Sequence, residues 1–303
     1  MASEPVVPFA IGDPGRAGRE VRPSFSGPAG SPPDTIVDGA DLPSIRMRAA
    51  SVRGLAHRLD GSPRQDALST AHTADGEWML VAVADGVGSA AESHWAASVA
   101  ADAAVRALGA ALADEHNWAT IWPSVVERAS AAVLERARSD HDDLDLAPAD
   151  ARAFMATTLI IAAVSCRAIQ DDIHGAYLAS VGDSSASLLD GDLMWRAVSA
   201  VKGISEGHAA DVFGSTIAAL PSEHPKIDQY SVGIRPGEAL FLMSDGVGDA
   251  LEEGRSIVGT TLAKWWQMPP EPIEFAAQVG FARRSFTDDR TVIGVWLTQG
   301  TTA

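Results

Sequence analysis

Cysteine is nearly absent from this sequence of 303 residues, which contains only Cys166. A single cysteine cannot form a disulfide within the chain, which excludes the class of small secreted domains that disulfides hold together. Cys166 ends an apolar run that begins at Leu159, and we expect it to be a buried structural thiol. This cysteine usage is typical of a reducing compartment and predicts a cytoplasmic location.

Basic residues are also scarce. The sequence has 23 Lys and Arg against 40 Asp and Glu, which gives a net charge of −17. Such a chain lacks the basic surface that binds nucleic acid, so we expect no nucleic-acid partner. The N-terminus has no basic segment followed by an apolar core, and no stretch approaches the roughly 20 apolar residues of a spanning helix. We therefore expect a soluble protein that is not secreted and has no membrane contact.

Proline and glycine are concentrated at the start of the chain. Residues 1–43 are rich in Pro, Gly, Ser and Ala, a composition that disfavours regular packing and predicts a flexible tail. From residue 44 the pattern changes to alternating and continuous apolar runs. The whole chain has 46% apolar residues, and we expect the segment 44–303 to bury the core of one catalytic domain.

The most informative motif is the tetrapeptide Asp-Gly-Val-Gly, which occurs at residues 85–88 and again at residues 245–248. Each copy follows a short apolar run that reads as a buried strand, Trp78 to Ala84 in the first case and Ala239 to Ser244 in the second. Each strand therefore delivers one carboxylate to the edge of a sheet. The Gly after the acid leaves its carbonyl accessible, and the second Gly allows a turn into a helix. Two carboxylates presented in this way predict one shared site for a hard cation.

The order of predicted elements indicates an α+β fold. Strands are predicted over residues 45–59, 66–72, 78–84, 156–165, 173–181, 184–189, 193–198, 228–234, 238–244 and 291–297. Helices are predicted over residues 89–113, 123–139, 255–266 and 272–285, and residues 199–226 resemble a loop. Strands followed by helices, twice in succession, predict two mostly antiparallel sheets, each covered on its outer face by helices.

Five segments, in this order along the chain, carry a resemblance to a known family. They are Gln65-Asp66-Ala67, Asp85-Gly86, Val181-Gly182-Asp183-Ser184-Ser185, Ser244-Asp245-Gly246 and Asp288-Asp289-Arg290-Thr291. The sequence from residue 45 to 297 resembles the metal-dependent type 2C (PPM) Ser/Thr protein phosphatases, in particular a bacterial branch. The resemblance implies a four-layer α-β-β-α sandwich and two Mn²⁺ or Mg²⁺ ions in the cleft between the sheets, with a weaker third ion in bacterial members.

The resemblance also implies roles for single residues. Asp85 would bridge both ions, the Gly86 carbonyl would complete one of them, and Asp245 and Asp288 would bind the first ion. The acids at the edge of the site would be Asp66, which touches a metal through water, and Asp183, which helps to hold the third ion.

Two positions depart from the better-known family pattern. Val87 stands where many eukaryotic members carry a His that protonates the leaving group. The alternatives are a metal-bound water as the proton donor, or His57 or His94 as a substitute for the missing His. Gly61 stands where the spacing places the phosphate-binding Arg, with Arg58 and Arg64 as the nearest alternatives. We favour Arg58 as the catalytic arginine, since an Arg near the cleft makes a bidentate phosphate contact.

The chemistry of phosphate ester hydrolysis agrees with these acids. Two divalent ions about 3.5 to 4 Å apart share a water, lower its pKa and neutralise charge on the phosphoryl oxygens. Carboxylates and carbonyls suit Mg²⁺ or Mn²⁺, whereas Zn²⁺ calls for clustered His and Cys. A Cys nucleophile needs a phosphate-cradling loop with Arg, whereas Cys166 follows an apolar run.

The predicted function is therefore a metal-dependent phosphatase for phosphoserine and phosphothreonine in proteins, the substrates of a cognate Ser/Thr kinase, acting as a monomer. A Gly-Asp-Ser hydrolase is rejected because the late Asp-x-x-His that it needs is absent. The alternative is a catalytically weak protein of the phosphatase fold that binds a phosphorylated partner and regulates it. Residues 199–226, with three glycines, are the candidate substrate-facing flap.

Overall fold

The computed structural model describes residues 9–27, 30–114, 117–170, 172–199 and 218–298. Eleven strands are found there: β1 (Thr35–Asp41), β2 (Ile45–Val52), β3 (Ala67–His72), β4 (Trp78–Ala84), β5 (Leu159–Gln170), β6 (Ile173–Val181), β7 (Ser185–Leu189), β8 (Trp195–Ala197), β9 (Asp228–Ile234), β10 (Ala239–Met243) and β11 (Arg290–Leu297). The α-helices are α1 (Gly15–Glu20), α2 (Leu55–Asp60), α3 (Ser93–Asp114), α4 (Trp118–Asp140), α5 (Pro148–Ala151), α6 (Asp245–Leu251), α7 (Ile257–Trp265) and α8 (Pro272–Val279).

The strands form two antiparallel sheets. The first sheet has the order β1-β2-β11-β10-β7-β8, and the second has the order β3-β4-β5-β6-β9. Helices α3 and α4 cover the second sheet, and α6, α7 and α8 cover the first. The predicted four-layer α-β-β-α sandwich is confirmed.

The alternation of side chains along each strand builds the layers. On β10, Leu240 and Leu242 point into the core between the two sheets, while Phe241 and Met243 contact the helices on the outer face. The strands of the second sheet show the same alternation, with even and odd positions in different cores. Because both faces of the central strands are buried, their sequences are almost continuously apolar, which is why they read clearly from the sequence.

Helix α3 packs closely on the second sheet through a stripe of alanines. Ala97, Ala101, Ala104 and Leu108 recur every three or four residues and are fully buried. With 22 residues, α3 is long and apolar enough by length and composition to cross a membrane, so the expectation that no stretch approaches this length was wrong. Its buried face contacts β3, β4 and β5, as in the core helix of a folded domain.

The prediction of a strand over residues 45–59 was wrong for the second half of this segment. The strand ends at Val52, and α2 follows. Gly54 permits this change because a Cβ there would lie 2.5 Å from the carbonyl oxygen of Thr287, and Gly61 ends α2 in the left-handed conformation with φ of 84°. The boundary is therefore set by contacts with a distant loop.

The predicted tail, residues 1–43, was wrong in its last part. Thr35–Asp41 pairs with β2 as the edge strand of the first sheet. Earlier in the chain, Ile11 is buried against the helices of that sheet, and Arg53 donates hydrogen bonds to the carbonyls of Ser24 and Phe25. Of the predicted flap, residues 199–226, the segment 200–217 lies outside the described residues.

The aromatic core of the first sheet should dominate its stability. Trp266 is fully buried, stacks on Phe241 at 5.1 Å between ring centroids and donates from Nε1 to Gln278. We expect Trp266→Ala to lower the free energy of unfolding by about 3–5 kcal/mol, because it leaves a large cavity and an unpaired amide. The neighbouring Trp265→Ala is the matched control, with an expected loss of about 1–2 kcal/mol for a half-buried ring. Equal losses in urea titrations would contradict this account.

Candidate metal centre

Five of the six predicted metal ligands meet at one end of the sandwich, because strand pairing places their strand ends together. Ala67 at the start of β3 lies opposite Ala84 at the end of β4, and Met243 at the end of β10 lies opposite Val292 near the start of β11. A cavity of about 140 Å³ lies at this edge. Its lining residues are His57, Gln65, Asp85, Gly86, Val87, Gly88, Thr158, Asp183, Asp245 and Asp288.

Asp85 is held at the end of β4 by the neighbouring strand β5. Its carbonyl oxygen accepts hydrogen bonds from the Thr158 amide at 2.8 Å and from Thr157 Oγ1 at 2.9 Å, and its own amide donates to Thr158 Oγ1 at 3.2 Å. Burial, followed by the charges of Asp66, Asp245 and Asp288, raises the pKa of Asp85 well above its usual range. The backbone is therefore fixed by hydroxyl residues, while the carboxylate faces other carboxylates.

Asp66 lies behind the cavity wall. Its side chain is buried and accepts a hydrogen bond from Ser244 Oγ at 2.7 Å. Burial and the nearby charge of Asp289 raise its pKa to about 7. Asp66 is not among the lining residues, and its predicted contact with a metal through water stays a prediction.

The adjacent acids Asp288 and Asp289 have different environments. Asp288 lines the cavity, and partial burial followed by the charges of Asp289 and Asp245 raises its pKa. Asp289 is buried and accepts hydrogen bonds from the Gly54 amide at 2.6 Å, the Gln65 amide at 2.5 Å and His57 Nδ1 at 2.9 Å. Asp289 thus ties α2 and the segment before β3 to the site, and Asp288 is left to face the cavity.

The glycines of the two Asp-Gly pairs are needed for close packing. A Cβ on Gly86 would lie 2.8 Å from the Gln65 carbonyl oxygen and 2.9 Å from Ser93 Cβ, and a Cβ on Gly246 would overlap the Asp289 carbonyl oxygen. Gly86 therefore packs against the backbone of Gln65, and Gly246 packs against the backbone of Asp289.

Arg58, the favoured phosphate-binding arginine, does not line the cavity, and its predicted role stays a prediction. Its Nε donates to Asp34 Oδ2 at 3.1 Å. The alternative, Arg64, is almost completely buried and donates to the Pro33 carbonyl at 3.1 Å and to Ser51 Oγ at 2.5 Å. Both arginines hold the segment around β1 and β2 in place.

His57 lines the cavity, whereas His94 does not. The hydrogen bond to Asp289 raises the pKa of His57, and burial lowers the pKa of His94, which packs against the Trp95 ring. Gln65 and Thr158 also line the cavity and were not predicted as site residues, whereas His57 was predicted only as a candidate proton donor. The sequence carried a signal for Gln65, which belongs to the predicted site segment Gln65-Asp66-Ala67.

The donors around the cavity fit a hard divalent cation. The carboxylates of Asp85, Asp245 and Asp288, with Asp183 and the Gly86 carbonyl, are all oxygen donors. Burial and then the charges of the neighbouring acids raise the pKa of Asp85, and a bound cation would favour the ionised carboxylate against both effects. Because His57 and the oxygens of Asp289 bind each other and backbone amides, the oxygen set is the better candidate for Mn²⁺ or Mg²⁺.

Comparison with known proteins identifies the family. A family model described as protein phosphatase 2C matches residues 53–278, which is most of the chain. The chain belongs to the protein phosphatase 2C family. It is therefore a protein phosphatase, a metal-dependent hydrolase of phosphoserine and phosphothreonine, and the predicted family, enzyme class and Mn²⁺ or Mg²⁺ cofactor are confirmed.

Solved structures confirm the phosphatase fold. The serine/threonine phosphatase of S. agalactiae is 18% identical, with a TM-score of 0.55 over 84% of this chain and 99% of that chain. The Mycobacterium tuberculosis serine/threonine phosphatase PstP is 17% identical, with a TM-score of 0.52 over 84% of this chain and 100% of that chain. A PstP catalytic domain in complex with two manganese ions is 18% identical, with a TM-score of 0.52 over 84% and 99% of the two chains. No curated protein matches this phosphatase significantly.

Gly86 offers a test of the cation site that does not depend on turnover. We expect Gly86→Ala to weaken Mn²⁺ binding about tenfold or more, because the added Cβ pushes the Gly86 carbonyl and Asp85 away from Gln65 and Ser93. Isothermal titration calorimetry measures the affinity. Gly191→Ala is the matched control, since a Cβ there meets nothing within 4 Å. Unchanged Mn²⁺ affinity in folded Gly86→Ala protein would contradict the predicted placement of the ion.

Proposed function

We propose that this phosphatase binds its ions through Asp85, Gly86, Asp245 and Asp288 and removes phosphate from Ser and Thr side chains of partner proteins. The observation that supports this most strongly is the single cavity lined by all four residues, which come from distant parts of the chain. In this proposal Asp85 would hold both ions, and Asp245 and Asp288 would hold the first.

Asp66 and Asp183 have supporting roles in the proposal. Asp66, hydrogen-bonded to Ser244 behind the wall, acts through an ordered water, and its charge is close enough to raise the pKa of Asp85. Asp183 lines the cavity just after β6 and contributes to a weaker third cation. Both positions keep further negative charge near the predicted ions.

The bound ions and the residues of the chain contribute different parts of the chemistry. When bound, two divalent ions supply an activated water as nucleophile and neutralise charge on the phosphoryl oxygens. The chain holds the carboxylates rigidly: Thr157 and Thr158 fix the backbone of Asp85, and the Asp289 amide donates to Asp288 at 2.8 Å. Such preorganisation removes the need for the acids to rearrange during the reaction.

The proposal also covers the source, the cellular location and the oligomeric state of the enzyme. We infer a bacterial, cytoplasmic and monomeric phosphatase that opposes a cognate Ser/Thr kinase. The single cysteine and the net charge of −17 support a reducing compartment and argue against a nucleic-acid partner. The similarity in fold to bacterial serine/threonine phosphatases agrees with this setting.

Removal of one carboxylate at a time should abolish the activity. We expect Asp85→Asn and Asp245→Asn each to lower Mn²⁺-dependent kcat/KM on a phosphothreonine peptide by about a hundredfold or more, since an amide binds divalent cations poorly. Asp190→Asn is the matched control: Asp190 caps a turn by accepting from the amides of Asp192 and Met194, outside the cavity. The same variants should lose turnover of p-nitrophenyl phosphate.

These activity measurements also distinguish an enzyme from the alternative, a regulatory protein that only binds a phosphorylated partner. Wild type that binds phosphopeptide but shows no turnover with Mn²⁺ or Mg²⁺ would favour the regulatory role. Activity that survives in Asp85→Asn would show that the acids of this cavity are not the catalytic ones.

Cys166 should be dispensable. Burial raises the pKa of its thiol to about 11, so the group stays protonated below that pH and only about a thousandth is thiolate at pH 8. We expect iodoacetamide to react about a hundredfold more slowly than with free cysteine, and Cys166→Ser to keep wild-type activity. Rapid alkylation that parallels loss of activity would instead indicate a thiol-based mechanism.

A further inference from the structure

His57 has the one basic side chain among the described residues that line the cavity. The rest of the lining is acidic, neutral or backbone, with four carboxylates facing the same space. A phosphate ester brings more negative charge into this space. Apart from the cations, His57 is therefore the one basic group at the cavity that can donate a hydrogen bond to the substrate.

The arginines near the site are committed to other contacts. Arg53 donates to Asp34 at 2.9 Å, Arg58 donates to the other oxygen of Asp34, and Arg64 is buried against Pro33 and Ser51. Arg290 is buried with its guanidinium 4.4 Å above the Phe281 ring, and burial lowers its pKa to about 10. None of these four lines the cavity.

One contact of the His57 ring and one contact of the His57 backbone hold this residue in place. Nδ1 lies 2.9 Å from Asp289 Oδ1, and Asp289 is itself fixed by the amides of Gly54 and Gln65. The His57 carbonyl accepts a hydrogen bond from Arg53 at 2.8 Å, which holds the backbone of α2. Because Nδ1 is engaged, Nε2 is the ring nitrogen left for a ligand, and the Asp289 contact favours the ring with a hydrogen on both nitrogens.

We propose that His57 binds a phosphoryl oxygen of the substrate through Nε2–H, with Asp289 as its positioning residue. This inference rests on the proposed function and names the residue that replaces an arginine at the phosphate. A single rigid donor of this kind strengthens binding of the phosphate group in both substrate and product, so its removal should raise KM and weaken product inhibition.

A cation is the rival ligand for His57. One donor atom each from His57, Asp288 and Asp289 lies within 4.8 Å of the others, a spacing that a metal ion would also accept. However, both Asp289 oxygens already accept hydrogen bonds from N–H groups, and hard cations prefer oxygen to imidazole. The two possibilities can be distinguished by measurement. Loss of a metal ligand weakens binding of the metal ion, whereas loss of a phosphate contact weakens binding of phosphate.

The test compares His57→Ala, His57→Arg and Arg58→Ala in the full chain. Inorganic phosphate is titrated into the Mn²⁺-loaded protein by calorimetry, Mn²⁺ is titrated separately, and KM and kcat are measured on a phosphothreonine peptide and on p-nitrophenyl phosphate. We expect His57→Ala to weaken phosphate binding and to raise both KM values about tenfold or more, with Mn²⁺ affinity within about twofold of wild type. His57→Arg should recover part of the phosphate affinity, and Arg58→Ala should bind phosphate as wild type does.

Four results would overturn the proposal. Unchanged phosphate binding in His57→Ala would remove His57 from the phosphate, and a matching loss of Mn²⁺ affinity would make it a metal ligand. A fall in kcat on the peptide alone, with phosphate binding intact, would make it a proton donor to the leaving group. Loss of phosphate binding in Arg58→Ala but not in His57→Ala would return the role to Arg58. Phosphate binding is measurable without turnover, so an inactive wild type would refute the proposed function and leave this test valid.

Discussion

The concentration of carboxylates at one end of the sandwich is the constraint on which the rest of the site depends. Asp85 lies near Asp66, Asp245 and Asp288, and both burial and these charges raise its pKa. Groups that repel one another in this way stay together only if the surrounding structure holds them. The apolar core between the two sheets supplies that rigidity, since it fixes the registers of β3 with β4 and of β10 with β11. A divalent cation that binds the folded state alone would add stability to the same arrangement.

The two Asp-Gly-Val-Gly copies show that an identical sequence need not give an identical local structure. In the second copy, α6 begins at Asp245 itself. In the first copy, Gly86 forms a bridge with Thr157, and α3 does not begin until Ser93. The expectation of an immediate helix therefore holds for the second copy only. What the copies share is the close approach of the Gly to another backbone, which is a tertiary requirement.

The parts of the fold that could be predicted are those that repeat a local pattern. The strand from Trp78 to Ala84 was predicted with its observed bounds, because both of its faces are buried and its sequence is continuously apolar. Edge strand β1 was missed because most of its positions are exposed or half-buried, so that no apolar pattern marks it and its existence depends on pairing with β2. The acids Asp85, Asp245 and Asp288 were found through motifs. The role of His57 was not, because its partner Asp289 lies 232 residues away in the chain.

The presence of His57 at the cavity, where the sequence favoured Arg58, has a geometric cause. Counting residues back from Asp66 treats the segment as an extended strand, whereas residues 55–60 form a helix that Gly61 ends. On a helix, successive side chains point about 100° apart, so neighbouring residues cannot serve the same site. His57 therefore faces Asp289 and the cavity, while Arg58 faces Asp34 on the N-terminal segment. A count along the sequence cannot choose between two adjacent basic residues, because the choice depends on the rotation of the helix, and contacts from residues 34 and 289 fix that rotation.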